Sequence, residues 1–341
     1  VIEGTQPDAG PVSTGPPAGG PAAAVQVDTA PERTGFAHPA LFYRDQEDFL
    51  AGVGGFVREG LEAGEPVLVA VPGPRLGPLR EQLGDCAAGV SFADMAELGR
   101  NPGRILAALR EFADAGGAGR TRMVGEPIWA SRSPAEVREA TRHEALINLA
   151  FRDRPVSVLC PYDADGLEPY VIEDALRTHP EVIRDGHPAP SAEFADPAEV
   201  CADCDTVLAE PAAAEELSYA SGGLAEVRRW LDERLAATGL DRQRRGDLVL
   251  AVGEAAGNSV VHGGGRGVLR VWRQADSVVA EVRDAGRLAD LLAGRRRPGV
   301  ATADGGRGLW MIHQLCDLVE VRSDDRGLTL RLHVDAGPAA P

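Results

Sequence analysis

Lysine is missing from this chain of 341 residues, and all 35 basic side chains are arginine. Its absence excludes the phosphate-loop lysine of Walker A sites, the strand lysine of protein kinases and any Schiff-base chemistry. Long apolar runs are missing too. No stretch approaches the roughly 18 uncharged apolar residues of a membrane span, and the N-terminus has neither the basic nor the apolar region of a signal peptide. Positive charge is scarce: 35 basic residues face 52 acidic ones, a net of −17. A whole-surface basic nucleic-acid binder is thereby excluded. The five cysteines (Cys86, Cys160, Cys201, Cys204, Cys316) are few, odd in number and mostly scattered. That usage fits a reducing compartment better than a disulfide framework. A cytoplasmic chain with no membrane partner and no direct nucleic-acid partner is expected.

At roughly 150 residues per domain the length points to two domains. Residues 1–35 are proline, glycine, alanine and threonine with almost no large apolar side chains, which reads as a disordered tail. From residue 36 to 185 helical and strand periods alternate. Helices are expected at Asp45–Ala63, Gly103–Ala115, Ser133–Phe151 and Leu167–His179, the third opening with Ser133, Pro134 and Glu136 in capping-box order. The runs Pro66–Val71 and Val156–Cys160, the second stopped by Pro161, are short and apolar on both faces, as buried parallel strands are. This pattern predicts an α/β layer with a mostly parallel sheet.

Residues 186–216, rich in Pro, Ala, Asp and Glu, read as a linker, with Cys201 and Cys204 incidental to it. Residues 217–336 then carry helices at Leu224–Thr238, Asp241–Val261 and Gly308–Cys316. Paired strands are expected at Gly267–Gln274, Ser277–Ala285, Leu318–Ser323 and Leu328–Val334, an α+β sandwich. Residues 337–341 are a tail. The halves differ electrically: residues 224–341 hold 18 Arg against 16 acids, whereas 1–223 hold 17 Arg against 36 acids. The C-terminal domain is the one suited to hold an anion.

On the helix ending near residue 261, Glu254, Asn258 and His262 recur every four residues and form one polar stripe at 0°, 40° and 80°. Leu248, Val249, Val252, Ala256 and Val260 cover the opposite side. A carboxylate there can deprotonate a nucleophile, and an amide oxygen can complete a Mg²⁺ shell otherwise made of phosphate and water. A strand ends at Asp284-Ala285-Gly286, where an acid can accept from an exocyclic amine and glycine admits a flat base. Gly305-Gly306-Arg307-Gly308 opens the next helix, placing backbone N–H groups where phosphates bind. Arg295, Arg296 and Arg297 lie between and are placed to contact those phosphates.

In this order and spacing, residues 217–336 resemble the ATP-binding (Bergerat or GHKL) fold of gyrase, Hsp90, histidine kinases and MutL. Within it they resemble the anti-sigma-factor serine kinases of Gram-positive bacteria. The resemblance implies ATP and Mg²⁺ as cofactors, Glu254 as general base and Asn258 as Mg²⁺ ligand. It further implies Asp284 and Gly286 as the adenine box, Gly305, Gly306 and Gly308 as the phosphate-lid box, and Thr329 backing the adenine site. His262, on the same stripe, joins the nucleotide-binding set. Leu288 departs from the pattern, which often has a second glycine there. No helix with a phosphoacceptor histidine precedes the domain, which disfavours a self-phosphorylating histidine kinase.

Residues 36–185 resemble the MEDS sensory domain through His38 with Leu41-Phe42-Tyr43, the stretch Gly60–Leu68, His143-Glu144-Ala145 with Asn148, and Leu159-Cys160-Pro161-Tyr162-Asp163. That resemblance implies a RecA-like α/β fold without a phosphate loop, and a small-molecule signal contacted by His38, His143, Cys160 and Tyr162. Together the two resemblances imply a signal-responsive anti-sigma regulator. Its partners would be a sigma factor and a STAS-type antagonist, which it sequesters or phosphorylates on serine respectively. A non-catalytic partner-switching module and an isolated sensor that only dimerises through its C-terminal fold are the competing classes. A homodimer is one assembly that the ATP-binding fold allows.

Overall fold

The computed structural model describes residues 35–117, 119–299 and 306–337. The tail expected at 1–35 lies almost entirely outside the described residues, as does Gly305.

The first fold unit runs β1 (Pro39–Tyr43), α1 (Gln46–Glu62), β2 (Val67–Val71), α2 (Gly73–Leu83), β3 (Val90–Asp94), α3 (Met95–Leu98), α4 (Ile105–Ala115) and β4 (Thr121–Gly125). It continues through α5 (Pro134–Ala150), β5 (Val156–Asp163), α6 (Pro169–Thr178), β6 (Glu181–Arg184), β7 (His187–Pro190) and α7 (Pro197–Asp203). Its seven strands are ordered β3-β2-β4-β5-β1-β6-β7. All pairings are parallel except β6 with β7.

Period-two alternation along each strand feeds two cores. Leu41, Val67, Val69 and Val71 face α1 and α2, where Phe49, Val53, Val57 and Leu79 are buried. Ala40, Phe42, Leu68 and Ala70 face the other way, toward Leu106 and Leu109 of α4 and Leu146 of α5. This three-layer α/β/α arrangement is what buried parallel strands require.

Two expectations change here. Pro161 does not stop β5, which continues to Asp163. The even-numbered residues of β5 bond to the β1 side, as Val158 N–H to Ala37 and Ala164 N–H to Tyr43 mark. Pro161 therefore faces the β4 side, where the ladder has already ended at Leu159, and its missing N–H costs nothing. Residues 186–216 are not a simple linker either. β7 extends the sheet, and α7 buries Val200, Cys201 and Cys204 beside α5.

The second unit contains β8 (Glu215–Ala220), α8 (Leu224–Leu235), α9 (Arg242–His262), β9 (Arg266–Gln274), β10 (Ser277–Asp284), α10 (Arg307–Leu315), β11 (Leu318–Asp324) and β12 (Gly327–Asp335). Its antiparallel sheet, ordered β11-β12-β10-β9-β8, is covered on one face by the helices through Val227, Leu231, Val252 and Ile312. Among the described residues no helix is long and apolar enough to cross a membrane.

Candidate functional sites

The cleft of the second unit is built on α9. Asp241 caps its start by accepting from the Arg244 N–H at 2.8 Å, and the helix keeps its register to His262. Asn258 and His262 line a cavity of about 160 Å³ with Gly263, Asp284, Gly286, Leu288, Gly306, Leu309 and Leu330. Glu254, one turn further back, is half-buried. A β-carbon on Gly308 would lie 2.9 Å from Glu254 Oε2 and 3.5 Å from Asn258 Nδ2. The start of α10 thus comes so close to the polar stripe that a side chain there would displace the Glu254 carboxylate. Gly306 caps that helix with φ 106° and, among the described residues, no side chain caps its first-turn N–H groups, which suit an anion.

Asp284 is held at the end of β10. Its Oδ1 accepts from the Gly286 N–H at 2.7 Å and its Oδ2 from the Ser259 hydroxyl at 2.6 Å. Gly263 and Gly327 close around it, since a β-carbon on Gly263 would overlap the carboxyl group and one on Gly327 would overlap its carbonyl. Sequence reading found Asp284 and Gly286 and missed Gly263, Ser259 and Gly327. The detectable signals were Ser259, one residue after Asn258, and glycines at both chain reversals.

These residues fit a Mg-nucleotide. The carboxylate keeps free lone pairs for an amine beside an apolar wall of Leu288, Leu309 and Leu330. The glycines leave backbone room at the helix start, and Asn258 contributes a single hard oxygen, as a cation otherwise held by phosphate and water needs.

Two expected contacts are not brought in. Thr329 pairs across the ladder with Arg283 and Arg322 and lies on the outer face of the sheet, lining a different cavity with Glu210 and Asp205. Strand alternation gives the cleft Leu328 and Leu330 in its place. Arg295 and Arg297 turn away from the cleft: Arg295 donates to Glu139 at 3.4 Å and Arg297 to Glu111 at 2.7 Å, both on the first unit.

Those two pairs belong to a wider junction. Leu292, in the segment following Gly286, is 7% exposed and packs in the core of the first unit. Arg322 donates to Glu139 Oε1 at 2.6 Å, and Arg142 donates to the Val321 carbonyl at 3.2 Å. Asn101 donates to the His313 carbonyl of α10 at 3.0 Å, with Gly103 against the imidazole ring.

The first unit holds a second polar cluster, fully buried, where β5, β1 and β6 lie side by side under α5. His38 precedes β1, Cys160 sits in β5 opposite Ala40, Glu144 hangs from α5, and His179 follows α6. Glu144 Oε2 lies 3.1 Å from His38 Nε2, 3.3 Å from Cys160 Sγ and 3.4 Å from His179 Nε2. Burial, reinforced by His179, pushes the His38 imidazole down to about 4. Burial pushes the Cys160 thiol well up.

Tyr162 packs edge-on against His179 at 5.5 Å between ring centres. Of the four residues expected to sense a ligand, His38, Cys160 and Tyr162 are therefore brought together, while His143 is not part of the cluster. Its ring is pushed down to about 3 by burial and by Arg295, His38 and Arg132 against Glu144, and among the described residues it has no hydrogen-bond partner at Nδ1. Sequence reading missed Glu144 and His179 as site residues. The available signal was Glu144 with Asn148 at i, i+4, the same spacing as Glu254 with Asn258.

Comparison with curated proteins gives no match. Residues 37–180 match the family described as MEDS, the MEthanogen/methylotroph DcmR Sensory domain. Residues 219–334 match the family described as Histidine kinase-like ATPase domain. Each match overlies one of the two units, so the chain joins a MEDS sensory domain to an ATPase domain of the GHKL type.

Proposed function

We propose that the MEDS domain sets the state of the ATPase domain, and that the latter acts as an anti-sigma-type regulator. In this reading it sequesters a sigma factor and phosphorylates a serine of a STAS-type antagonist. The observation that carries the control relation is the segment between the adenine box and α10. Leu292 lies in the sensory core, and Arg295 and Arg297 are paired to Glu139 and Glu111. A signal that shifts α4 or α5 would shift the wall of the nucleotide cleft with them.

Bound Mg-ATP would supply the phosphoryl group and the charge that compensates it. The chain's own residues do the rest. Asp284 accepts from the base, the N–H groups at the start of α10 face negative oxygens, and Asn258 offers its oxygen to Mg²⁺. Glu254 takes the proton from a serine hydroxyl presented by the partner. Leu288 favours a second, binding-only reading, because its N–H is tied to Ser323 Oγ at 3.0 Å and its side chain packs on the core.

The test uses the full chain. Mg-ATP at a hundred times its dissociation constant should stabilise the protein by about 2.7 kcal/mol. Asp284→Asn should abolish that gain. Glu254→Ala should keep it and lose phosphoryl transfer to the antagonist. Complex formation with no transfer by the wild type would establish the binding-only reading, and no thermal shift in any variant would overturn both.

A further inference from the structure

The hydrogens of the buried cluster under α5 can be placed from its neighbours. Asn148 donates its amide to the Thr178 carbonyl at 2.8 Å, with the Glu144 and Ala145 carbonyls at 3.4 Å. Its Oδ1 is thereby turned to His38 Nδ1 at 3.1 Å, so Nδ1 carries the hydrogen and Nε2 presents a lone pair. His179 Nδ1 lies 2.8 Å from the Ala175 carbonyl, a pure acceptor, so it too carries its hydrogen outward. Two imidazole lone pairs consequently point at a carboxylate oxygen, acceptor against acceptor, with only the Cys160 thiol and the Tyr162 hydroxyl beside it to supply hydrogens. Among the described residues His179 Nε2 and Glu144 Oε1 have no hydrogen-bond partner, although both side chains are fully buried.

We propose that His38 Nε2, His179 Nε2, Glu144 Oε2 and Cys160 Sγ are the four ligands of a Zn²⁺ ion inside the MEDS domain. All four atoms lie within 4.8 Å of one another, and four of the separations are 3.1, 3.3, 3.4 and 3.4 Å. Two metal bonds of about 2.0 Å at the tetrahedral angle place their ligand atoms about 3.3 Å apart. The donor set of one thiolate, two imidazoles and one carboxylate suits zinc. Binding breaks the Cys160 S–H bond and forms S–Zn, and the proton leaves to solvent. The charges then cancel: two positive on the ion, one negative on sulfur and one on the carboxylate. The outward Nδ1 hydrogens, held by Asn148 and by the Ala175 carbonyl, are the outer-sphere bonds that fix imidazole ligands to a metal. All four positions are filled by protein, so the ion would tie together the starts of β1 and β6, strand β5 and helix α5.

Metal analysis of the full-length protein should find one equivalent of zinc. Stripping it with a chelator and titrating Zn²⁺ back against a chromophoric competitor should give a dissociation constant well below micromolar. Cobalt loaded in its place should show a thiolate charge-transfer band that is lost in Cys160→Ser. Glu144→Gln puts an N–H where the lone pairs converge, so it should fold, by circular dichroism, yet bind zinc more than about 100-fold more weakly, beyond the usual reach of an outer-sphere change. No zinc uptake by the folded wild type at micromolar metal would overturn the assignment and leave a network of protonated histidines. Unchanged zinc affinity in Glu144→Gln would overturn it equally.

Discussion

The two candidate centres depend on different kinds of residue. The nucleotide cleft needs glycines as much as acids. Gly327 has φ 132° and lies against the backbone carbonyl of Asp284, so an alanine there meets both strain and overlap. Gly327→Ala should destabilise the ATPase domain by about 2–4 kcal/mol, with Mg-ATP affinity falling because Asp284 is displaced. Urea unfolding with and without nucleotide checks this, and a change below 0.5 kcal/mol, the ordinary range of surface substitutions, would sink it. The polar stripe of Glu254, Asn258 and His262 was legible because helical periodicity is local. The buried cluster was half legible: His38, Cys160 and Tyr162 stood in recognisable motifs. His179 joins them only because β6 returns beside β1, and no local pattern encodes that.

Among the elements, helix α5 follows directly from its sequence. Ser133 and Glu136 form the capping box, Pro134 takes the first turn, and Val137, Ala140 and Leu146 are buried. Strands β1, β3, β4, β6 and β8 escaped notice. β4 carries Arg122, whose guanidinium lies over Phe56 and pairs with Glu65 at 2.7 Å, so a charge interrupts the apolar run. The linker reading of 186–216 failed because a four-residue exposed strand with two prolines and a seven-residue helix leave too little periodicity to detect.

The strand ends carry a pH dependence of their own. Just beyond β4, Glu126 accepts from the Tyr43 hydroxyl at 2.8 Å and pairs with Arg75 of α2 at 3.1 Å. Burial pushes its carboxyl up to about 7 against the pull of Arg75. A raised carboxyl contributes stability that is complete below its unfolded value and is lost as pH rises through the folded one. Between pH 4.5 and 7 this group should cost the protein up to about 3 kcal/mol. Comparing unfolding free energies at pH 5 and pH 8, Glu126→Gln should gain on the wild type at the higher pH. A mutant-to-wild-type difference that does not change with pH would refute the assignment.

At the scale of the whole molecule the two domains share a junction rather than a tether. Glu139 faces Arg322, Arg295 and Arg142 from within the protein, and all four are buried. Removing the carboxylate leaves buried guanidinium groups uncompensated, at about 3–5 kcal/mol. Wild-type protein should therefore melt in one calorimetric transition, and Glu139→Ala should split it into two. A single unshifted transition in the variant would mean that the junction does not couple the domains. Coupling of this kind also runs both ways. If Leu292 and the paired arginines let a signal in the sensory domain change the affinity for ATP by some factor, ATP must change the affinity for the signal by the same factor. The cell's ATP-to-ADP ratio would then tune the threshold at which the sensor responds, so one molecule would report energy state and chemical signal together.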